Sequence, residues 1–315
     1  MDFNEFGKKI IRHSIGVWRR VYTPILFELS KLVPDKIYLE HRYKRLMGKK
    51  LNLNPPVTYN EKLNWLKLYD RNPLYTKLAD KYEVRKYVAE RIGEEYLIPL
   101  LGVWDKAEEI AFDSLPESFV LKCTHDSESV IIVKNKAELD VKAAIAKLNK
   151  ALSVNFYYYN REWVYKDIKP RIIAEQYMED SRDKELRDYK IFCFNGVPTY
   201  MFIATDRAIH ETKFDFFDMD FKHLDFTQHY PNSPIPVHKP ESFEEMKELA
   251  RRLSEGLRHV RVDFYEVNGK VYFGEITFYH HGGTTPFEPE EWDYRFGELI
   301  ELYRDGDGKG KIKGN

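Results

Sequence analysis

The order of apolar and polar positions predicts helices in the first part of the chain and mainly strands after it. Apolar residues recur at helical spacing from Leu78 through Val88 to Ile92, which is typical of a helix with one buried face. Short apolar runs bounded by turn residues are typical of strands. Helices are predicted over 4–32, 60–71, 73–95, 139–152 and 243–257, and strands over 118–124, 129–134 and 171–178.

Two Asn-Gly pairs predict β-hairpins. Asn195-Gly196 follows the β-rich run 188–194, and Asn268-Gly269 follows the run 260–266. Both residue types tolerate the left-handed backbone of a short hairpin turn, so each pair is expected to join two antiparallel strands.

The second hairpin carries the acidic residues with the clearest potential chemistry. Arg261 and Asp263 share one face of its first strand, and Glu275 and Thr277 share one face of the returning strand. Two carboxylates that converge from neighbouring strands suit Mg²⁺ when the ion also binds substrate phosphates.

The register of this hairpin decides whether the two carboxylates converge. A strict two-residue turn sends Glu275 to the face opposite Asp263. A three-residue loop over 267–269, closed by a glycine bulge, pairs Asp263 with Phe273 and Arg261 with Glu275. We therefore predict the bulged turn; the alternative is a solvated acidic hairpin.

Two lysines lie within predicted strands, where a buried ammonium group needs a partner. Lys122 lies in the run 118–124 and Lys190 in the run 188–194. One such lysine is common on an edge strand, but two, together with the carboxylates, favour a polyphosphate site. The groups that could cover phosphates after Lys122 are Thr124, His125, Ser127 and Ser129.

Composition narrows the class of protein. The chain has 315 residues, 43% hydrophobic and 32% charged, which is too apolar for a disordered chain and too polar for an integral membrane protein. Residues 1–14 lack the apolar segment of a signal peptide, so a cytoplasmic protein is expected. Cys123 and Cys193 lie in apolar runs without metal-ligand spacing, and we expect both to be buried and reduced.

The charge is unevenly distributed along the chain. The whole sequence has 50 basic and 51 acidic side chains, whereas its first 50 residues contain 12 basic and 5 acidic ones. The acidic remainder argues against a nucleic-acid partner. The basic helix over 4–32 either packs with a solvated basic face or brings residues 1–32 to an anionic membrane surface.

Longer strings of residues carry a family resemblance. They are Tyr59-Asn-Glu-Lys-Leu-Asn-Trp, Tyr69-Asp-Arg-Asn-Pro-Leu-Tyr, Arg161-Glu-Trp, Asp188-Tyr-Lys, Cys193-Phe-Asn-Gly and Tyr272-Phe-Gly-Glu-Ile-Thr-Phe. In this order they resemble the TupA-like ATP-grasp family, named for teichuronopeptide biosynthesis, over roughly residues 50–303.

The resemblance implies a fold. ATP-grasp proteins are α+β proteins in which two α+β subdomains clasp ATP. The corresponding divisions here are a basic helical N-terminal region over 1–58, a first subdomain over 59–175, a second over 176–303, and a disordered tail over 304–315.

The resemblance also implies which residues bind ATP. Lys81 and Lys122 match the lysines that hold its phosphates, and Lys190 is expected to be a third cationic contact. The remaining implied contacts are His125 and Ser127 for phosphate, Glu175, Gln176, Tyr177 and Met178 for adenine, and Asp180 for ribose. The phosphate loop reads His125-Asp126-Ser127-Glu128 where the family usually has His-Gly-Ser-Gly, which adds acidic groups near the triphosphate.

Metal, catalytic and substrate residues follow from the same resemblance. The implied Mg²⁺ ligands are Asp263, Glu275 and Thr277. The implied catalytic residues are Arg261, Lys122 and Lys190, with Arg261 steadying the transferring phosphate. The substrate-facing loop matches His280, His281, Gly282 and Gly283. Adjacent side chains point apart on a strand, so the two histidines are expected to diverge rather than share a zinc ion.

The implied activity is an ATP- and Mg²⁺-dependent ligation of a carboxylate to an amine or similar nucleophile through an acyl phosphate. The implied substrate is a small-molecule or glycan carboxylate of cell-wall or capsular polysaccharide. Alternatives are a phosphotransferase or a glycosyltransferase acting on polysaccharide precursors, and a non-catalytic nucleotide-binding module. The expected location is the cytoplasm, with the protein either free or peripheral at the inner membrane face.

Overall fold

The computed structural model describes residues 27–127, 129–181, 186–205 and 211–302. The chain divides into two compact units, Met1–Leu51 and Asn52–Asn315. In the first, helix α1 (Asp35–Met47) ends at Gly48, whose left-handed backbone lets its amide donate to the carbonyl of Lys44.

Two predictions fall wholly or mostly outside the described residues. The helix predicted over 4–32 is described only from residue 27, and the tail over 304–315 is not described. Across the described ranges, no helix combines the length and apolar character needed to cross a membrane.

The second unit contains both helices and strands. Its helices are α2 (Tyr59–Tyr69), α3 (Pro73–Ala79), α4 (Val84–Arg91), α5 (Val141–Leu152), α6 (Tyr157–Asn160), α7 (Phe243–Ser254) and α8 (Glu291–Glu298). Its strands are β1 (Leu100–Trp104), β2 (Phe119–Cys123), β3 (Ile131–Val133), β4 (Ile172–Gln176), β5 (Asp188–Phe194), β6 (Val197–Thr205), β7 (Lys213–Asp218), β8 (Thr227–Gln228), β9 (His259–Val267), β10 (Lys270–Thr277) and β11 (Phe287–Glu288).

Most of these strands form two antiparallel sheets. The smaller sheet has the order β1-β4-β2-β3, and the larger has the order β10-β9-β5-β6-β7. Strands β11 and β8 form a separate two-stranded ribbon. The architecture is therefore the mixed α+β arrangement that the resemblance implies.

Each main sheet has its own hydrophobic core. Phe119 and Leu121 of the smaller sheet pack with Leu148 of α5. The larger core joins the larger sheet and α7 to α2, α3 and α4, through residues such as Leu63 and Val88. Helices α2 to α4 therefore pack with the larger sheet although they precede the smaller one in sequence. The subdomain boundaries inferred from the resemblance remain predictions.

The helix predicted over 73–95 is wrong as a single element, because it is broken between α3 and α4. The Asp80 carboxylate accepts hydrogen bonds from the amides of Tyr82 and Glu83, which forms a tight turn at this point. The turn takes Lys81 out of helical geometry, and the Lys81 amide instead donates to the carbonyl of Thr124 at 3.1 Å.

Both Asn-Gly hairpins are confirmed, but the bulged turn predicted for the second is wrong. Val267 pairs with Lys270, so the turn has two residues, and Asn268 and Gly269 both have positive φ. The extra residue lies instead within β10, at Gly274, and shifts the register between Phe273 and Glu275.

Glycine suits this bulge because the neighbouring strand approaches closely. A Cβ on Gly274 would lie 3.0 Å from the carbonyl oxygen of Asp263. The pairs observed beyond the bulge are Asp263 with Glu275 and Arg261 with Thr277, not the predicted pairs. The two carboxylates nevertheless converge on one face, by a different device.

Candidate active site

A row of charged side chains crosses three neighbouring strands of the larger sheet. Lys190 of β5 pairs with Asp263 of β9, which pairs with Glu275 of β10. Directly paired residues of antiparallel strands point to the same face. The Lys190 Nζ lies 2.5 Å from Asp263 Oδ2, so the row begins with a close ion pair.

The Arg261 guanidinium contacts the two carboxylates of this row and also Thr277. Its Nε and Nη2 each donate to one oxygen of Asp263 at 2.7 Å. Its Nη2 also lies 3.3 Å from Glu275 Oε1 and 3.0 Å from Thr277 Oγ1. Burial would lower the pKa of Arg261, but Asp263 and Glu275 raise it above its ordinary value, so the group remains a cation.

Glu275 lies at the open side of this cluster. Its side chain is 37% exposed, whereas that of Asp263 is 1% exposed. Burial would raise the pKa of Glu275, but the positive charges of Lys81, Lys190 and Arg261 lower it to about 2. Glu275 is therefore an anion at neutral pH.

Lys81 approaches Glu275 from the turn between α3 and α4. Burial lowers the pKa of Lys81 below its ordinary value; Glu275 opposes this effect and Lys122 adds to it. The Lys81 ammonium group thus interacts electrostatically with residues of both sheets, Glu275 of the larger and Lys122 of the smaller. Two of the cations predicted to hold phosphate, Lys81 and Lys190, therefore interact with the carboxylates predicted to hold metal.

Lys122 has a buried carboxylate partner on the adjacent strand. Its Nζ lies 2.6 Å from Glu175 Oε2, and the other oxygen of Glu175 lies 3.3 Å from Arg85 Nη1. Arg85 also donates to the carbonyl of Ile98 at 2.9 Å. The Glu175 side chain is therefore engaged with two cations, and its backbone is paired with strands on both sides, at Leu100 of β1 and Val120 of β2.

The loop after β2 is built around Lys81 and Ser129. The Lys81 Nζ donates to the carbonyl of Asp126. The Asp126 carboxylate accepts from the Ser129 hydroxyl at 2.6 Å, so this acid is engaged within the loop. His125 is buried against the end of α5, with its Nε2 3.2 Å from the carbonyl of Ala151, whereas Ser127 is exposed. Glu128 lies outside the described residues.

The segment predicted to bind adenine begins with the last two residues of β4 and continues past the end of the strand. The Gln176 amide donates to the carbonyl of Pro99 at 3.0 Å and its side chain is exposed. Tyr177 donates to Glu179 at 2.5 Å, and Met178 is half-buried. The Asp180 carboxylate accepts from the amide of Asn268 at 2.7 Å, which ties this segment to the turn of the β9–β10 hairpin.

The four residues of the loop predicted to face substrate form a 3-10 turn, His280–Gly283. The expected divergence of the histidines is wrong, because their ring centroids lie 4.1 Å apart. His280 is 1% exposed and its Nδ1 lies 2.7 Å from Arg261 Nη1. Gly282 and Gly283 are buried with positive φ, and a Cβ on Gly283 would lie 2.9 Å from the Cβ of Leu63.

Tyr165 lies beside the acidic cluster, and the sequence pattern does not predict this position. Burial, Glu162 and Glu275 raise the pKa of Tyr165 well above its ordinary value, which places its hydroxyl within electrostatic reach of the acidic cluster. Its ring packs against Phe156, with centroids 5.2 Å apart. The cluster of tyrosines around it in the sequence is typical of core packing and gives no signal for this one position.

A family model for TupA-like ATP-grasp proteins matches residues 61–301. The chain belongs to the TupA-like ATP-grasp family. A search of curated proteins gave no match. Among solved structures, D-alanine–D-alanine ligase from Helicobacter pylori is 15% identical, with 77% of this chain and 69% of that chain covered and a TM-score of 0.42.

Two further solved structures are similar at the same level. D-alanine–D-alanine ligase from Bacillus anthracis is 16% identical over 71% of this chain and 60% of its own, with a TM-score of 0.37. D-cycloserine synthetase is 15% identical over 72% of this chain and 70% of its own, with a TM-score of 0.39. Membership of the ATP-grasp family rests on the family model and not on these distant structures.

The residues of this ATP-grasp site fit a magnesium ion that also binds phosphate. Among the described residues, no group of three or more His, Cys, Asp and Glu side chains could hold a metal by itself. Asp263, Glu275 and the Thr277 hydroxyl are oxygen donors on one face, and Mg²⁺ commonly takes one or two carboxylates together with substrate phosphates. When bound there, the ion neutralises phosphate charge.

The low pKa of Glu275 gives the ATP-grasp fold a pH dependence. A carboxylate whose pKa is about 2 when folded, against an ordinary 4.5, stabilises the fold above about pH 4.5 and loses this contribution as the pH falls. Without metal or nucleotide, the stability of the wild type relative to Glu275→Gln should therefore decrease from about pH 6 to about pH 3, as measured by urea unfolding.

A matched control for this measurement is Glu266→Gln. Glu266 lies on the same strand as Asp263 but on the opposite face, where it accepts a hydrogen bond from the Ser242 amide at 2.8 Å. If the stability of the wild type relative to Glu275→Gln stayed constant or increased as the pH fell, the cationic surroundings described for Glu275 would be wrong.

Proposed function

We propose that this protein is an ATP- and Mg²⁺-dependent ligase that joins a carboxylate to an amine or a similar nucleophile through an acyl phosphate. The observation that carries the proposal is the Lys190, Asp263 and Glu275 row with Arg261 on the same face. Lys81 approaches this row from outside the larger sheet.

The charged groups suit the two requirements of phosphoryl transfer, which are positioning and neutralisation of charge. Lys81 and Lys122 would hold the phosphates of ATP, and the segment 175–178 would bind adenine. Arg261 and Lys190 would neutralise the phosphoryl group as it passes to the carboxylate. Asp263, Glu275 and Thr277 would hold the metal ion.

Neither cysteine is suited to act as a nucleophile. Both are buried and free, as the sequence predicts. Burial raises the pKa of Cys123 to about 11 and that of Cys193 to about 12, so neither is a thiolate at neutral pH. Transfer through an acyl phosphate on the substrate requires no protein nucleophile, which agrees with this chemistry.

The proposed substrate is a uronic acid or other glycan carboxylate of cell-wall or capsular polysaccharide, and the proposed acceptor is an amino acid. Support for this part is the resemblance to proteins of teichuronopeptide biosynthesis. The basic residues of the first 50 positions support a further proposal, contact of residues 1–32 with the inner membrane face.

The test is release of ADP and phosphate from Mg²⁺-ATP against a panel of uronic acids paired with amino acids. Full turnover should require one carboxylate and one amine together and should release inorganic phosphate with amide formation. A stable phosphosugar without phosphate release would instead indicate a phosphotransferase. Failure to bind Mg²⁺-ATP by calorimetry would contradict the proposed function, whereas binding without turnover of any pair would indicate a non-catalytic nucleotide-binding module.

A further inference from the structure

His280 contacts the Arg261 guanidinium at Nη1, whereas Asp263 contacts it at Nε and Nη2. Its Nδ1 is 2.7 Å from Arg261 Nη1, and its Nε2 is 2.9 Å from Gln228 Oε1. The ring packs between Phe192 and Phe202, with centroids at 4.9 and 5.4 Å. The imidazole is thus held by ring contacts and by hydrogen bonds at both nitrogens.

The chemistry of the partners determines where the protons lie. A guanidinium can only donate, so His280 Nδ1 must accept. The neutral ring therefore carries its proton on Nε2 and donates it to Gln228 Oε1. Gln228 in turn donates from Nε2 to the carbonyl of Thr285 at 3.1 Å. Arg261, His280 and Gln228 form a chain in which every donor and acceptor has one consistent role.

Burial supports the neutral form of His280. Burial, His281 and Arg261 together lower its pKa well below the ordinary value. A protonated ring would lose its acceptor and would place a second cation against Arg261. The arrangement therefore depends on a neutral imidazole.

A buried polar face of α2 holds the turn that carries His280. Asn60, Asn64 and Lys67 lie at helical positions i, i+4 and i+7, and all three are fully buried. Lys67 Nζ donates to the carbonyl of Gly282 at 2.7 Å, and Asn64 Nδ2 donates to that of Gly283 at 2.7 Å.

Asn60 completes this support two residues further along, at Thr285. Its Nδ2 donates to the carbonyl of Thr285 at 3.1 Å, the same carbonyl that accepts from Gln228. The Asn60 side chain also accepts from the Thr285 amide at 3.4 Å. The backbone within and directly after the His280 turn is therefore fixed to α2.

We propose that His280 is a positioning residue, which accepts a hydrogen bond from Arg261 and thereby aims the guanidinium at the phosphoryl group being transferred. Asp263 accepts from two nitrogens of the same guanidinium, Nε and Nη2, and His280 accepts from the remaining nitrogen, Nη1. The role in transfer rests on the proposed ligase function, whereas the hydrogen-bonded arrangement does not.

The first test compares two substitutions of His280. His280→Phe keeps the ring contacts with Phe192 and Phe202 but removes the acceptor, and His280→Gln keeps an acceptor and a donor. With a substrate pair from the panel, His280→Phe should lower kcat for ADP release by about 10²-fold, the loss expected from a small displacement of a catalytic group. The Kd for Mg²⁺-ATP should change by less than about twofold, because the phosphate-holding lysines are intact.

A matched control separates positioning from loss of stability. Like His280, His259 is a buried histidine, and it lies on β9. Its ring nitrogens contact the Tyr59 hydroxyl at 2.9 Å and the carbonyl of Cys193 at 3.0 Å, and neither contact involves Arg261. His259→Phe should lower thermal stability with little change in kcat, and His280→Gln should recover most of the kcat lost in His280→Phe. Equal kcat losses in His259→Phe and His280→Phe, or no recovery by His280→Gln, would overturn the proposal.

The second test needs no turnover. In the wild-type protein labelled with ¹⁵N-histidine, the His280 resonances, assigned by their loss in His280→Gln, should show a protonated Nε2 and an unprotonated Nδ1 at neutral pH. The opposite tautomer or a doubly protonated ring would overturn the proposal even if no substrate pair were active. If the expected tautomer is observed but no substrate pair is turned over, the Arg261 contact stands and only the proposed function is refuted.

Discussion

Replacement of Asp263 by Asn should reduce Mg²⁺-dependent ADP release by about 10³-fold or more, since a proposed metal ligand and the carboxylate that orients Arg261 are lost together. The neutral amide would leave Arg261 and Lys190 without the anion that both contact. The measurement is the steady-state rate of ADP release across a Mg²⁺ titration.

Controls are needed because Asp263 is almost fully buried and its loss removes the closest anion of both Arg261 and Lys190. Breaking a buried ion pair by removing one partner costs about 3–5 kcal/mol. Glu275→Gln changes the other proposed ligand at a more exposed position, and should lose activity with less loss of stability. Glu266→Gln, on the opposite face of β9, should keep its activity. Wild-type Mg²⁺ dependence in folded Glu275→Gln would remove Glu275 from the metal site.

Replacement of Lys122 by Met should weaken binding of Mg²⁺-ATP by about 10- to 100-fold, or about 1.4–2.7 kcal/mol, the usual value of a hydrogen bond to a charged group. Glu175 keeps Arg85 as a partner at 3.3 Å, so the smaller sheet should remain folded. Isothermal titration calorimetry measures the change in Kd directly.

Lys142→Met is the matched control for this substitution. Lys142 is exposed on α5, the helix that packs on the same smaller sheet. This variant should bind Mg²⁺-ATP like the wild type, since the removed charge lies on a solvated helix face. Equal Kd values for Lys122→Met and Lys142→Met would place the triphosphate elsewhere.

The convergence of Asp263 and Glu275 could be predicted from the sequence, but its cause could not. The alternation of polar and apolar residues identifies a carboxylate-bearing face on each strand, and the Asn268-Gly269 pair identifies the hairpin. The extra residue could lie at either Gly269 or Gly274, because glycine occurs both in turns and in bulges. Only the close approach of the Asp263 carbonyl shows that it lies at Gly274.

Other features depend on tertiary contacts that periodicity does not report. The spacing from Leu78 to Ile92 continues across the break at Asp80, so the sequence pattern merges α3 with α4 and hides the exit of Lys81. Asn60, Asn64 and Lys67 resemble an ordinary solvated helix face, yet they are buried against the carbonyls of 282–285. Their partners are more than 200 residues away in sequence.

The divergence expected of His280 and His281 is wrong for a local reason. That expectation applies strand alternation within a loop, whereas Gly282 and Gly283 are a turn signal. His281 itself has a φ of 47°, which breaks strand alternation and brings the two imidazole rings together. The family resemblance could indicate that this loop matters, but not that His280 contacts Arg261.

The central claim is transfer of the ATP γ-phosphoryl group to a substrate carboxylate, and isotope transfer tests it most directly. With the carboxylate substrate labelled with ¹⁸O, attack of its oxygen on ATP releases ADP and forms an acyl phosphate. The amine then displaces phosphate, loses its proton and forms the amide. Mass spectrometry should find one ¹⁸O in each phosphate released; unlabelled phosphate released together with amide would contradict the acyl phosphate route.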